Sequence, residues 1–189
     1  MITTRRTRGF ARVDNPRDGI LRGKLMIDIY NAGEGDTAVI EDILSDACDW
    51  LVSIGKKLWE REWLTWEALS KQFNASDFYI TSYGGAPAGC MAIVDHDPFI
   101  WPEIEKGESL FVHKLAVKRF AAGSGCSGAL LTRAKELCAL RGVEVLRLDC
   151  HALMPRLRAV YERNGFNCVG EGVLFDKYHT AYYEYRLRV

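Results

Sequence analysis

The run Ala121-Ala122-Gly123-Ser124-Gly125-Cys126-Ser127-Gly128 carries only small side chains and stands between an apolar strand pattern and an amphipathic helix pattern. Small residues permit a tight turn that leaves backbone N–H groups exposed, and the first turn of the following helix adds unpaired N–H groups of its own. Together these amides make a seat for a phosphate or pyrophosphate. Lys118, Arg119 and Arg133 are placed to add charge-assisted contacts. Two common phosphate motifs do not fit. No Gly-Lys-Ser/Thr follows, which excludes a P-loop, and the turn lies more than 110 residues into a chain without the repeating strand-helix units of a nicotinamide fingerprint.

A second set of residues could move protons. In MPRLRAVYERNGF, Tyr161 shares a helical face with Leu157 and Val160, and its phenolic O–H can donate as negative charge grows on a neighbour. Asp95, Asp97, Glu108, His113, Asp149 and His151 are candidate proton acceptors. Each has a structural use as well: Asp149 can anchor a loop, His151 can cap a turn, and His113 alternates away from Val112 on its strand. Cys126 and Cys150 lack a persuasive histidine partner for a nucleophilic role. The six cysteines contain no CxxC pair and fall into no zinc-finger spacing with His96, His113, His151 and His179, so reduced and mostly buried thiols are expected, and no metal.

These groups need elements to hold them. Residues 1–23 mix Arg, Gly, Asn-Pro and Asp-Gly and read as an N-terminal arm, followed by one domain over 24–189. A first strand is expected at Lys24–Tyr30. Val39, Ile43, Ala47, Trp50, Leu51, Ile54 and Leu58 recur at spacings of three and four, predicting a helix from Asp36 to Trp59, with a second at Thr65–Phe73. FYITSY and AGCMAIVD form a hairpin around Gly84-Gly85, and HDPFIWPEIEKGE makes a loop rich in aromatics. Then follow a strand at Ser109–Val117, a helix at Ser127–Leu140 stopped by Gly142, a strand at Val143–Asp149, a helix at Met154–Asn164, and closing strands near Phe166–Phe175 and Ala181–Val189. This order implies a mixed α/β sheet in one layered domain.

Composition bounds the partners. Among 189 residues, 48% are hydrophobic and 26% charged, enough for a core and a solvated shell. Lys plus Arg (25) balance Asp plus Glu (25), which excludes a strongly basic nucleic-acid binder, although residues 1–24 hold seven basic and two acidic side chains. Residues 25–107 hold five basic and fifteen acidic, and 108–189 thirteen and eight, a layout that reads first as ordinary solvated faces and could also place an anionic ligand on the later half and draw a cationic one toward the earlier. No stretch approaches the ~20 apolar residues of a membrane span, and the start lacks the apolar core of a secretion signal. A cytoplasmic protein without a membrane partner is expected.

The strand, the glycine turn, its helix, the following RLDC and the later YERNGF together resemble the GNAT N-acetyltransferase family. That family reads Gln or Arg, two residues, Gly, one residue, Gly or Ala, where this chain has Ala122, Gly123, Ser124, Gly125, Cys126 and Ser127. Ala122 and Ser127 depart from the pattern, and Met154 stands where many relatives place Asn, a contact that is lost, moved to Arg156 or Arg158, or taken by water. The resemblance implies a mixed, mostly antiparallel sheet of six or seven strands flanked by helices. It implies transfer of the acetyl group of acetyl-CoA to a small-molecule or peptide amine, with a homodimer left open. Leu115, Ala116 and Val117 would contact the pantetheine arm, the turn from Ala122 to Gly128 would hold the pyrophosphate, and Tyr161 would protonate the departing thiolate, with Asp149, His151 or His113 among the candidate bases. The three departures motivate a second reading, an acyl-CoA-binding sensor or interaction module of little or no catalytic activity.

Overall fold

The computed structural model describes residues 26–187; the arm expected over 1–23 lies outside them. Seven strands form one sheet: β1 (Ile27–Asn31), β2 (Phe78–Tyr83), β3 (Ala86–Val94), β4 (Ser109–Val117), β5 (Val145–His151), β6 (Asn167–Leu174) and β7 (Tyr178–Arg186). Their order is β1-β2-β3-β4-β5-β7-β6, antiparallel throughout except for the parallel β4–β5 pair.

Side-chain alternation divides the core into two layers. Phe78, Ile80, Cys90 and Ala92 face α1 (Thr37–Ser53) and α2 (Trp66–Leu69), meeting Ile40, Ile43, Leu44 and Leu69. Their neighbours Tyr79, Met91 and Ile93 face α3 (Cys126–Arg141) and α4 (Pro155–Arg163), meeting Leu130, Leu131, Ala134 and Tyr161.

The first helix is shorter than its apolar spacing predicts. Gly55, at φ +70°, takes the left-handed position after the last turn; its N–H bonds Val52 O at 2.9 Å and Lys56 N–H bonds Leu51 O at 2.9 Å. This double closure ends the helix at Ser53, and Leu58 and Trp59 pack from the connecting segment. The second helix is also brief: Thr65 Oγ1 caps it by accepting Ala68 N–H at 3.3 Å, and the regular helix runs only to Leu69.

A bulge in β4 shapes the site. Ala92 pairs with His113 while Cys90 pairs with Ala116, so β4 carries one extra residue, and Lys114 absorbs it at φ +54°. The strand changes phase there. Val112 belongs to the α3 layer, whereas Ala116, an even number of residues on, belongs to the α1 layer. Beside it the parallel ladder has only three rungs, Ser109–Val145, Leu110–Leu146 and Phe111–Arg147, after which β4 and β5 separate. Arg147 anchors the paired end: it is buried, lies 2.9 Å from Glu184 Oε1 on β7, donates to Ser109 Oγ on β4 and stacks 5.3 Å from the Trp101 ring.

Candidate active site

The glycine turn has the geometry of an anion seat. Gly123 (φ +79°) and Gly125 (φ +101°) adopt left-handed backbone that residues with a Cβ enter at a cost, and Gly125 is the N-cap of α3. Ala122 N–H bonds Arg119 O, Ser124 N–H bonds Ala121 O, and Cys126 N–H bonds Ser124 Oγ at 3.3 Å. Among the described residues, the N–H groups of Gly123, Gly125, Ser127 and Gly128 have no hydrogen-bond partner. Four unpaired amides at the positive end of a 16-residue helix favour an anion there.

The three basic side chains expected around this seat are engaged elsewhere. Lys118 pairs with Asp42, Arg119 stacks 5.2 Å from the Trp50 ring while its N–H bonds Asp46 at 2.7 Å, and Arg133 pairs with Glu136 at 3.1 Å. The turn therefore relies on backbone amides. Arg158 is likewise committed, to Tyr183 Oη at 2.9 Å and Glu171 at 2.7 Å, whereas Met154 and Arg156 line the adjoining cavity.

That cavity, of about 540 Å³, runs from Ser127 past Leu115, Ala116 and Val117 to Trp50 and Leu58. Lys118 N–H bonds Ala88 O at 2.7 Å toward β3. Strand alternation then turns the backbone groups of Leu115 and Val117 the other way, into the gap that β5 leaves. A second cavity of about 390 Å³ opens beyond the bulge, and the two share Leu58, Trp59, Leu115 and Leu157.

The second cavity gathers the proton-active residues. Asp97, His113, Asp149 and Tyr161 all line it, together with Lys114, Cys150 and Tyr178. One ligand atom from each of Asp97, His113 and Asp149 lies within 4.8 Å of the others, and His113 Nε2 is 3.4 Å from Asp97 Oδ2. Burial pushes the Asp149 carboxyl up to about 6, with Asp97 adding to the rise and Lys114 opposing it. Burial holds His113 below its ordinary value against the pull of Asp97, and holds Lys114 below its own. Tyr161, 5% exposed, has a phenol raised by burial and stays protonated.

His151 stands apart from this group. Its Nδ1 accepts Leu153 N–H at 3.2 Å, and its ring meets Tyr178 edge-on at 5.1 Å, so it caps the turn after β5. Asp95 lies 3.9 Å from Lys106, and Glu108 Oε2 accepts Glu105 N–H at 3.4 Å. All six cysteines are free thiols, five of them buried and Cys168 exposed. Burial pushes Cys150 up to about 12, which suits packing better than nucleophilic attack. Lys114, Trp59, Phe175 and Tyr178 are site residues that the sequence pattern did not single out. Only the bulge brings Lys114 there, and no spacing rule reports a bulge.

Residues 37–166 match the family described as the acetyltransferase (GNAT) family. A Bacillus subtilis (strain 168) protein described as the uncharacterized N-acetyltransferase YesJ is 33% identical over 89 residues, 45% of this chain and 49% of that protein, so the match spans about half of the relative. A GNAT acetyltransferase from Listeria monocytogenes 4b F2365 superposes with a TM-score of 0.66 at 23% identity, covering 87% of this chain and 97% of that one. For the ribosomal-protein-S18-alanine N-acetyltransferase of Escherichia coli the TM-score is 0.63 at 17% identity, with 87% and 96% covered. For N-acetylglutamate synthase of Neisseria gonorrhoeae, complexed with coenzyme A and N-acetyl-glutamate, it is 0.61 at 19% identity, with 87% and 36% covered. At these identities the solved structures speak for the fold, and the sequence match over more than half of the chain speaks for descent: the chain belongs to the GNAT acetyltransferase family, whose members take their acetyl group from acetyl-CoA.

Proposed function

We propose that the protein transfers the acetyl group of acetyl-CoA to a primary amine by direct attack of the amine nitrogen on the thioester carbonyl. The observation that carries this reading is the opening between β4 and β5, where a cavity that reaches Ser127, one of the four residues with unpaired amides, meets a cavity lined by Asp149 and Tyr161. In this reading the amides of Gly123, Gly125, Ser127 and Gly128 receive the pyrophosphate, with Ala122, Ser124 and Cys126 holding the turn in shape. The backbone of Leu115, Ala116 and Val117 lies along the pantetheine arm. Acetyl-CoA supplies an acyl carbon already activated as a thioester.

An amine attacks only when neutral, so the incoming ammonium must shed a proton. Asp149, raised to about 6, is ionised at neutral pH yet more basic than an ordinary aspartate, and it is the base in this reading. His113, 3.4 Å from Asp97, is an adjacent acceptor able to pass that proton on. As the C–N bond forms and the C–S bond breaks, the Tyr161 hydroxyl gives its proton to the sulfur, and the second proton shed by the new amide nitrogen restores the tyrosine hydroxyl. His151, occupied as a turn cap, is left out of these steps.

Mass spectrometry of products from an amine panel tests the transfer. Tyr161→Phe should leave coenzyme affinity unchanged and lower turnover by roughly 10²-fold or more, the typical weight of a positioned proton donor; unchanged turnover would refute the acid role. A second reading, a module that binds acyl-CoA without turning it over, draws support from Met154, whose thioether lines the coenzyme-side cavity and cannot act as a two-way amide. Tight coenzyme binding with no acetylated product from any amine would favour it. Among the described residues, no helix is long and apolar enough to cross a membrane.

A further inference from the structure

Resting on the transfer reading above, we propose that the acceptor is a small organic monocation, a single primary ammonium anchored on Asp97 with an aryl or alkyl body held between Phe99, Phe175 and Trp59. Size sets the first bound. At about 390 Å³ the acceptor cavity stands near the lower end of the range for small-molecule sites.

Charge sets the second. Among the described residues the cavity wall carries two carboxylates, Asp97 and Asp149, against one ammonium, Lys114, while burial lowers the tendency of His113 to take up a proton. One negative charge is left over, and one cation balances it.

The carboxylate with capacity to spare is Asp97. Its side chain is 7% exposed; Oδ1 accepts Ile100 N–H at 3.1 Å and so fixes the loop, but among the described residues Oδ2 is buried without a hydrogen bond. His113 Nε2, though 3.4 Å away, is out of line for one. A buried carboxylate with an unpaired oxygen is costly, and an ammonium held in the cavity that Asp97 lines supplies the missing charge. An acceptor bearing its own carboxylate would turn to Lys114, whose charge already faces Asp149. A polyamine would need further carboxylates toward the mouth, where Phe99 and Phe175 stand instead.

Those two rings line the cavity and yet remain 78% and 75% exposed, a poor use of large apolar groups unless something covers them. Phe175 and Asp176 occupy the centre of the β6–β7 turn at φ +52° and +58°, closed by Lys177 N–H to Leu174 O at 3.2 Å. Such turns ordinarily take Asn-Gly, so the strained phenylalanine there is explained by what its ring does at the cavity mouth.

The test compares 2-phenylethylamine with ethylamine, phenylalanine and spermidine, by acetyl transfer and by calorimetric binding to the coenzyme A-loaded protein. 2-Phenylethylamine should exceed phenylalanine and spermidine at least tenfold in kcat/KM. Asp97→Asn keeps the Oδ1 acceptor but removes the charge and exchanges the Oδ2 acceptor for an NH2 donor; it should raise KM and Kd at least tenfold with a small change in kcat, with a thermal melt confirming the fold. Phe175→Ala should erase the preference over ethylamine. Faster acetylation of phenylalanine or spermidine, or unchanged KM and Kd in Asp97→Asn, overturns the inference and leaves the transfer reading standing. Asp97-dependent binding of 2-phenylethylamine with no product from any amine keeps the inference and sinks transfer, and no binding of any amine overturns the inference.

Discussion

The most exacting consequence concerns Asp149. Its carboxyl rises from 3.8 to about 6, because burial and the neighbouring Asp97 disfavour the charged form more than Lys114 supports it. A group with that value is about nine tenths ionised at pH 7 and about one tenth at pH 5, so kcat/KM should fall about tenfold between them if Asp149 must be ionised to accept the proton. An aspartate at 3.8 would give a flat profile over the same span. The shift also bears on stability. A carboxyl whose value is higher folded than unfolded stabilises the fold fully below about pH 4, and that support is lost as pH rises through about 6. At about 1.4 kcal/mol per decade, the ionised form costs about 3 kcal/mol at pH 7. Asp149→Asn should therefore lose at least about 10²-fold in turnover while gaining up to about 3 kcal/mol of stability at pH 7, a gain that vanishes near pH 4. The assays are a pH–rate profile by thiol release and urea unfolding at pH 4 and pH 7. A flat profile down to pH 5, or an Asn variant less stable than the native protein at pH 7, would refute the reasoning.

Two glycines offer simpler checks. Gly125→Ala places a Cβ at φ +101°, at a cost of about 1 kcal/mol, and by disturbing the amide seat should weaken coenzyme A binding about tenfold, or ~1.4 kcal/mol; unchanged calorimetric affinity would remove the turn from the site. At Gly89 a Cβ would lie 2.9 Å from Ala116 O and 3.0 Å from Thr81 Oγ1, so Gly89→Ala should cost about 1–3 kcal/mol in denaturant unfolding. A neutral result there would mean that the bulged segment of β4 yields easily.

Much of this molecule is readable from the local chemistry of its sequence. Ser109–Val117 is a strand with the boundaries its alternation predicts, and the glycine turn carries the unpaired amides its composition implies. Periodicity misled where an apolar residue kept the helical spacing after the backbone had turned away: Leu58 continues the α1 stripe beyond Gly55, but φ +70° at that glycine had already ended the helix. The cluster of Asp97, His113 and Asp149 was legible only as separate candidates, because a loop and two strands bring them together across long sequence separations. The rephasing at Lys114 had no sequence signal at all, since lysine has no special preference for left-handed backbone.

The three-rung ladder between β4 and β5 has a mechanical meaning. Sheets share stability sideways through their hydrogen-bonded rungs, and this sheet consists of a four-stranded and a three-stranded half riveted at one end by Arg147, Ser109 and Glu184. The open end of the seam is where the two halves breathe most easily. A ligand whose amides bridge Leu115 and Val117 to the far side would act as a temporary strand, so that filling the site and stiffening the fold become one event.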